Sequence, residues 1–355
     1  MGRASSNKAT ANLKVRNEAA IQPVGTVTSY DVARYAGVSQ SAVSRCFKPG
    51  ASVSKKMRDK VMQAVEELGY RPNAIARGLI TQRSNTIAVI IANLRFYPEV
   101  LVNLSRSLSR RGLNMLLFSL DDESAANHMV EQIWQSRVDG VIAAANLPRE
   151  QIETLTRAKI PVVFLNRNYQ DMPISSVSCD QVAGERTLVD LLVKAGYKSF
   201  GIIAGPQNSV VSRQRTTGAI DRLEELGFSD HAVVYGNYDY DSGGKALRDL
   251  VAARGNKMPE AVICANDVMA IGCIDEARNH YHLDVPKDVA VVGYDGASQA
   301  YWSNYDLVTI QQPMESMTEA AISIIMERVE NPGLPPERRV FLGSLSQGSS
   351  ASIKK

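Results

Sequence analysis

From residue 86 onward, short apolar runs of strand length alternate with helical patterns, and the series restarts once near residue 200. The first series reads Thr86-Ile87-Ala88-Val89-Ile90-Ile91, Asn114-Met115-Leu116-Leu117-Phe118, Gly140-Val141-Ile142-Ala143 and Pro161-Val162-Val163-Phe164-Leu165. The second runs through Phe200-Gly201-Ile202-Ile203-Ala204, Val233-Val234, Ala261-Val262-Ile263-Cys264 and Val289-Ala290-Val291-Val292-Gly293. Runs that are apolar on both faces suit parallel strands covered by helices on each side, so each series predicts a doubly wound α/β sheet. Two similar lobes are therefore expected in residues 84–355. The first takes about 84–178 and 312–341, the second about 179–311 and 342–355. Open α/β sheets place ligands at the carboxyl ends of their strands, which puts the expected binding cleft between the lobes.

The chain before this core has a different texture. Residues 1–25 are polar and small, without hydrophobic periodicity, and read as a disordered tail. Residues 26–70 read as a compact helical unit. Thr28 opens a helix carrying Val32, Ala33 and Ala36, which Gly37 ends. A second short helix follows Ser39, with Val43 and Phe47 inward and Gln40, Ser41, Ser44 and Arg45 pointing elsewhere. Ser54 caps a third, whose stripe of Met57, Val61, Val65 and Leu68 stops at Gly69. In residues 71–83, Pro72 suits a first helical turn, but seven residues cannot hold a helix alone in water, so this linker should order only against a partner surface.

Charge divides along the same boundary. Residues 1–83 carry 14 Lys and Arg against 5 Asp and Glu, a net +9, whereas residues 84–355 carry 26 against 32, a net −6. A small cationic unit on a mildly acidic body matches what a polyanion attracts, because neutralised phosphates release counterions. No apolar run is long enough to span a bilayer, and the first 25 residues hold no apolar segment of the kind an export signal needs, so a cytoplasmic protein without a membrane partner is expected. Cys46, Cys179, Cys264 and Cys273 have no C-x-x-C spacing, and His128, His231, His280 and His282 lie scattered among polar residues, so neither a metal site nor a disulfide framework nor a cofactor is expected.

The segment Asp31-Val32-Ala33-Arg34-Tyr35-Ala36-Gly37-Val38-Ser39-Gln40-Ser41-Ala42-Val43-Ser44-Arg45 places small residues where two helices cross and glycine at the turn between them. With Val53-Ser54 and Leu68-Gly69-Tyr70-Arg71-Pro72-Asn73-Ala74-Ile75-Ala76-Arg77-Gly78-Leu79, it closely resembles the headpiece of the lactose-repressor/galactose-repressor (LacI/GalR) family. Later blocks extend the likeness through most of the chain: Ala204-Gly205-Pro206, Ala265-Asn266-Asp267, Val292-Gly293-Tyr294-Asp295 and Thr309-Ile310-Gln311-Gln312-Pro313.

The resemblance implies an N-terminal helix-turn-helix joined to a two-lobed core of the periplasmic-binding-protein type, acting as a transcriptional regulator, most simply a repressor. The second helix would enter the major groove, with Gln40, Ser41 and Arg45 reading bases and Ser39, Ser44 and Asn73 positioning the backbone. Ala76 and Leu79 fall in the family's hinge helix, whose leucine wedges into a minor-groove step. In the core, Arg215, Asn266 and Asp295 correspond to effector contacts, with Asn166 as a further polar contact and Tyr238 as a stacking wall. The implied partners are double-stranded operator DNA, a sugar or sugar-acid-like effector and a second copy of the chain. Two departures stand out. The stretch after Ile91, Ala92 to Glu99, is about two residues shorter than the family's loop, and Gln181 replaces a common Asn, a change expected to perturb only a local turn.

Competing functions require features this sequence does not show. A dinucleotide enzyme wants glycines in the turn after its first strand, and the turn after Ile91 has none. Phosphate-loop, zinc-protease and nucleophile-elbow motifs are likewise missing, so catalysis is not expected. An exported solute-binding protein would lack the basic headpiece, and a purely architectural DNA binder would not need a two-lobed core. The stretch 344–350 carries no apolar heptad, so a dimer rather than a coiled-coil tetramer is expected.

Overall fold

The computed structural model describes residues 27–48, 50–71, 83–92, 98–120, 125–167, 169 and 171–351. The expected tail, the linker with Asn73, Ala76 and Leu79, and most of the shortened loop at 93–97 lie outside the described residues. The chain divides into two compact units between residues 82 and 83.

In the first unit, α1 spans Ser29–Ala36, α2 Gln40–Cys46 and α3 Lys55–Leu68. The three starts and two of the stops have local causes. Thr28 and Asp31 form a reciprocal capping box at α1, while Ser39 and Ser54 accept the Ala42 and Met57 amides at α2 and α3. Gly37 and Gly69 end α1 and α3 at φ 64° and 61°, a conformation a side chain would strain. Val32, Ala33, Val43, Cys46, Val61 and Ala64 form the core, with Val38, Phe47, Val65 and Leu68 packed around it.

The second unit holds two six-stranded sheets. The first orders its strands β11-β5-β4-β3-β1-β2 and the second β12-β10-β9-β8-β6-β7. β1 to β5 are Thr86–Ile91, Asn114–Ser119, Gly140–Ala144, Val162–Leu165 and Ser175–Cys179; β6 to β10 are Phe200–Ala204, His231–Tyr235, Ala261–Cys264, Ala290–Asp295 and Val308–Gln311. β11, Arg338–Phe341, joins the first sheet and β12, Ser344–Ser346, the second. The first sheet is wholly parallel, and the second is parallel except for its added edge strand β12, which runs antiparallel to β10. Coverage falls at the opposite edges, where β2 and β7 are only partly buried. An edge strand has a neighbour on one side only, so its outer positions face water.

Helices cover both faces of each sheet. Pro98–Arg110 (α4) and Met314–Glu330 (α11) bury Leu104, Leu108, Met317 and Ile325 against Ile87, Val89 and Ile142. Ala126–Gln135 (α5) and Arg149–Arg157 (α6) bury Ile133 and Ile152 against Ala88, Ile90 and Val141, the alternate residues of the same strands. In the second lobe, Gln181–Lys194 (α7) and Val210–Glu225 (α8) cover Ile202 and Ile263, while Tyr240–Ala253 (α9) and Asp267–Asn279 (α10) cover Ile203 and Val262.

The chain crosses between lobes three times, at β5 to α7, β10 to α11 and β11 to β12. Each crossing leaves a strand at its carboxyl end, so those ends converge on the interlobe region. In both sheets the order 2-1-3-4-5 puts the switch point between the first and third strands of the lobe, where such sheets hold ligands. The last described residues return to the second sheet: Ser350 Oγ donates to the Val291 carbonyl at 2.6 Å and accepts the Val308 amide at 2.8 Å.

Candidate nucleic-acid face and interlobe site

In the headpiece, burial of Ala42, Val43 and Cys46 fixes which side of α2 faces outward. Ser41, Ser44 and Arg45 stand exposed on that side, with Lys48 just beyond. Ser39 is the cap of α2, its Oγ accepting the Ala42 amide at 3.2 Å and lying 3.0 Å from Ser41 Oγ. Gln40 is different. It is half-buried, and its amide donates to Ser29 Oγ at 3.3 Å, tying α2 to the start of α1. An exposed residue that sequence reading passed over is Tyr30, in the first turn of α1.

In the core, three of the five predicted residues, Arg215, Asp295 and Asn166, form one hydrogen-bonded ring with Gln181, Gln312 and Cys179 at the crossings between lobes. Arg215, from α8, is 3% exposed and commits its guanidinium in three directions. Nε donates to Gln181 Oε1 at 2.8 Å, one terminal nitrogen to the Ala265 carbonyl, and the other to Asp295 Oδ1 at 2.8 Å. Gln312 donates to the same Asp295 oxygen at 2.7 Å and accepts from Asn166 Nδ2 at 2.8 Å. Asn166 Oδ1 accepts the Cys179 amide, and the Cys179 carbonyl accepts from Gln181, which closes the circuit. The Arg215 guanidinium also lies 3.7 Å from the centre of the Tyr294 ring, a cation–π contact in a desolvated place. Burial works against the charge of Arg215, but Asp295 with Tyr294, Tyr238 and Glu185 holds its pKa above the ordinary range.

Asn266 caps α10, accepting the Met269 amide at 3.0 Å and donating to the Tyr238 carbonyl at 3.1 Å. It thereby fixes the backbone of Tyr238, whose hydroxyl lies 3.1 Å from Ser209 Oγ and whose ring lies against Gly205. A Cβ at Gly205 would overlap that ring, so the Ala204-Gly205-Pro206 turn needs glycine for close approach. Asn166, Tyr238 and Asp295 adopt φ of 53°, 64° and 113°. Such backbone costs about 1 to 3 kcal/mol for each residue and concentrates at functional sites. Three of five predicted effector residues are held this way, and they follow β4, follow β7 and end β9, all at strand carboxyl ends.

A cavity of about 130 Å³ opens beside the ring, lined in part by Asn166, Arg167, Asp180, Gln181 and Gln214. A larger one, about 430 Å³, lies between α5 and α6, lined in part by exposed Trp134, and includes none of the ring residues. The convergent polar groups typical of ligand sites are beside the smaller one.

Two ring members were misjudged or missed from sequence. Gln181, expected only to alter a turn, is a buried partner of Arg215 and Cys179, because the start of α7 lies at a crossing. Gln312 was noticed only inside the block 309–313, yet it links Asn166 to Asp295. Arg213, on the same helix as Arg215, is exposed and donates to the Gln207 carbonyl at 3.0 Å.

A capped three-helix unit with an exposed basic helix face, followed by a two-lobed α/β core with a polar site at facing strand ends, defines a DNA-binding regulator with a ligand-sensing domain. The family described as "Bacterial regulatory proteins, lacI family" matches residues 28–73, and the "Periplasmic binding protein-like domain" family matches residues 189–351. The chain is 30% identical to the catabolite control protein A of Priestia megaterium, over 84% of this chain and 91% of that protein. It is also 30% identical to the ribose operon repressor of Escherichia coli K12, over 91% of this chain and 99% of the relative. Among solved structures, a lac repressor dimer bound to operator and the anti-inducer ONPF superposes with a TM-score of 0.83 at 27% identity, covering 92% of this chain and all of that one. A complex of the regulator CelR with cellobiose gives 0.69 at 28% identity and the same coverage. The chain belongs to the LacI family of bacterial transcriptional regulators.

Proposed function

We propose that this regulator is a cytoplasmic homodimeric repressor that binds a pseudo-palindromic operator and changes its affinity when a sugar-like metabolite enters the interlobe site. The observation that carries the reading is the Arg215–Asp295–Gln312–Asn166 chain, which joins the two lobes and includes three residues that the family pattern assigns to effector, Arg215, Asp295 and Asn166. A ligand inserted there exchanges protein–protein for protein–ligand hydrogen bonds and so favours one lobe arrangement over another. Asp295 already faces Arg215, so the pair is electrically neutral, which favours a polyhydroxyl compound over an anion: hydroxyls both donate to the carboxylate and accept from the guanidinium. The solved CelR complex holds cellobiose, a neutral polyhydroxyl compound of this chemistry.

The proposed base readers are Gln40, Ser41 and Arg45, with Ser39, Ser44 and Asn73 positioning the DNA backbone and Ala76 and Leu79 in the linker's hinge. The effector contacts are Arg215, Asp295, Asn266, Asn166 and Tyr238. A thermal-shift screen of neutral sugars and sugar acids tests the site: a ligand at 100 times its Kd stabilises by about 2.7 kcal/mol. No stabilisation by any sugar or sugar acid, at millimolar concentrations, would count against it.

Dimer formation is supported by an aromatic patch on the second lobe: Trp302, 58% exposed, lies 6.4 Å from the Tyr305 ring, and Tyr305 and the exposed Tyr240 both donate to Asp275. Aromatic anchors of this size dominate interfaces. Trp302→Glu is expected to weaken self-association by about 2 kcal/mol or more, roughly thirtyfold, in sedimentation equilibrium. A variant that dimerises like the parent would remove this patch from the interface.

A further inference from the structure

Behind the ring lies an acid that nothing above uses. Glu185, on α7, is 1% exposed, and both of its carboxylate oxygens are buried with no hydrogen-bond partner. A carboxylate in that state would carry an unpaired charge out of water, which is among the costliest arrangements in a protein. The neutral acid avoids most of that cost. Its surroundings are fixed by close packing: a Cβ on Gly184 would strike the Tyr294 ring, and one on Gly218 of α8 would press on the Val182 backbone and the Glu185 side chain.

The charged and titratable groups facing it are few. Arg215 of α8 favours its ionised form, and Asp295 at the end of β9 opposes it. Tyr294 on β9, Cys264 on β8 and Arg215 itself are in turn influenced by Glu185. β10 and β12, which also pack on α7, have the sequences VTIQ and SLS and bring no titratable side chain. Among the described residues, Arg215 is therefore the cation that an ionised Glu185 attracts.

We propose that Glu185 is a proton-operated positioning residue beneath the interlobe ring: neutral, it leaves Arg215 to Asp295, and ionised, it draws on the same guanidinium and slackens the link from Asp295 through Gln312 to Asn166. Burial, the largest cause, pushes its pKa up to about 8, against 4.5 in the unfolded chain. The sign follows from proton binding. Below 4.5 both states hold the proton and the acid does not weaken the fold; between 4.5 and about 8 only the folded state holds it, so stability falls as pH rises; above about 8 the loss is complete. This inference stands without any effector, so its failure and that of the proposed function are separable.

The test compares the full chain with Glu185→Gln, a neutral isostere, and Glu185→Met, an apolar one. The parent's unfolding equilibrium is expected to shift by up to about tenfold per pH unit across that window, beyond the shift in either variant. Both variants should therefore be more stable than the parent at pH 8 and little changed at pH 4.5. In hydrogen-exchange mass spectrometry, segments 164–181 and 293–313 of the parent should lose protection above pH 8 relative to the intrinsic rate, and those of Glu185→Gln should not. Parallel pH profiles, or equal protection at all pH values, would overturn the proposal. Failure of both variants to fold would overturn it too, since a partnerless acid has no hydrogen bond to lose.

Discussion

Replacement of Arg215 by alanine is expected to destabilise the core by about 3 to 5 kcal/mol, the cost of breaking a buried ion pair by removing one partner. For a unit of this size, that corresponds to a fall of roughly 6 to 20 °C in its unfolding temperature. The loss is large because three acceptors depend on one side chain: Gln181 Oε1, the Ala265 carbonyl and Asp295 Oδ1. Lysine should rescue poorly, since an ammonium on a flexible stem cannot reproduce three planar, divergent hydrogen bonds while stacking on Tyr294. Below its unfolding temperature, Arg215→Ala should still bind operator, because the headpiece core is built only from its own helices, but it should no longer respond to effector. Calorimetry and operator titration on one preparation check both parts. Unchanged stability would mean that the ring does not hold the lobe as described, and a normal ligand response would take Arg215 out of the site.

Arg45→Ala should weaken operator binding by about 1 to 3 kcal/mol, or roughly 5- to 150-fold, and relax preference at one base pair. Arg45 is exposed in the last turn of α2, where the guanidinium is free to bridge two acceptors of a guanine edge. The control is Lys48→Ala. A phosphate contact carries no sequence information, so that variant should lose affinity evenly across sequences and show a shallower salt dependence. A binding-site selection separates them, and an unaltered selected motif for Arg45→Ala would reassign Arg45 to the phosphates.

The sequence made some of this legible and hid the rest, for physical reasons. Caps and turns are local, so Thr28, Ser39, Ser54, Gly37 and Gly69 could be read within a few residues of one another. Central strands such as β1 and β3 are apolar on both faces and announce themselves, whereas β5 and β12, SSVSC and SLS, carry few large apolar side chains. Those two become strands because neighbours pair with them: β5 between β4 and β11, β12 along β10. In the site, the motif blocks pointed to Arg215 and Asp295 but not to Gln312, whose bond to Asn166 spans 146 residues of sequence. Gln181 was misread for the same reason, as its role appears only when the crossing brings α7 beside α8. Gln40 and Asn266 show the reverse: their polar ends are engaged within the fold, one to Ser29 and the other as a helix cap, so any ligand contact must share or displace those bonds.

In the proposed mechanism the exposed face of α2, with Arg45, selects DNA, while a bonded ring between two lobes decides how firmly the DNA is held. The most direct check of that mechanism is a titration of the intact chain against a selected operator and a scrambled duplex, at moderate salt, with and without the sugar found by thermal shift. The selected site should be favoured by about a thousandfold or more, and the sugar should move that affinity by about 5- to 150-fold. Equal affinity for both duplexes, unmoved by the sugar, would contradict the account.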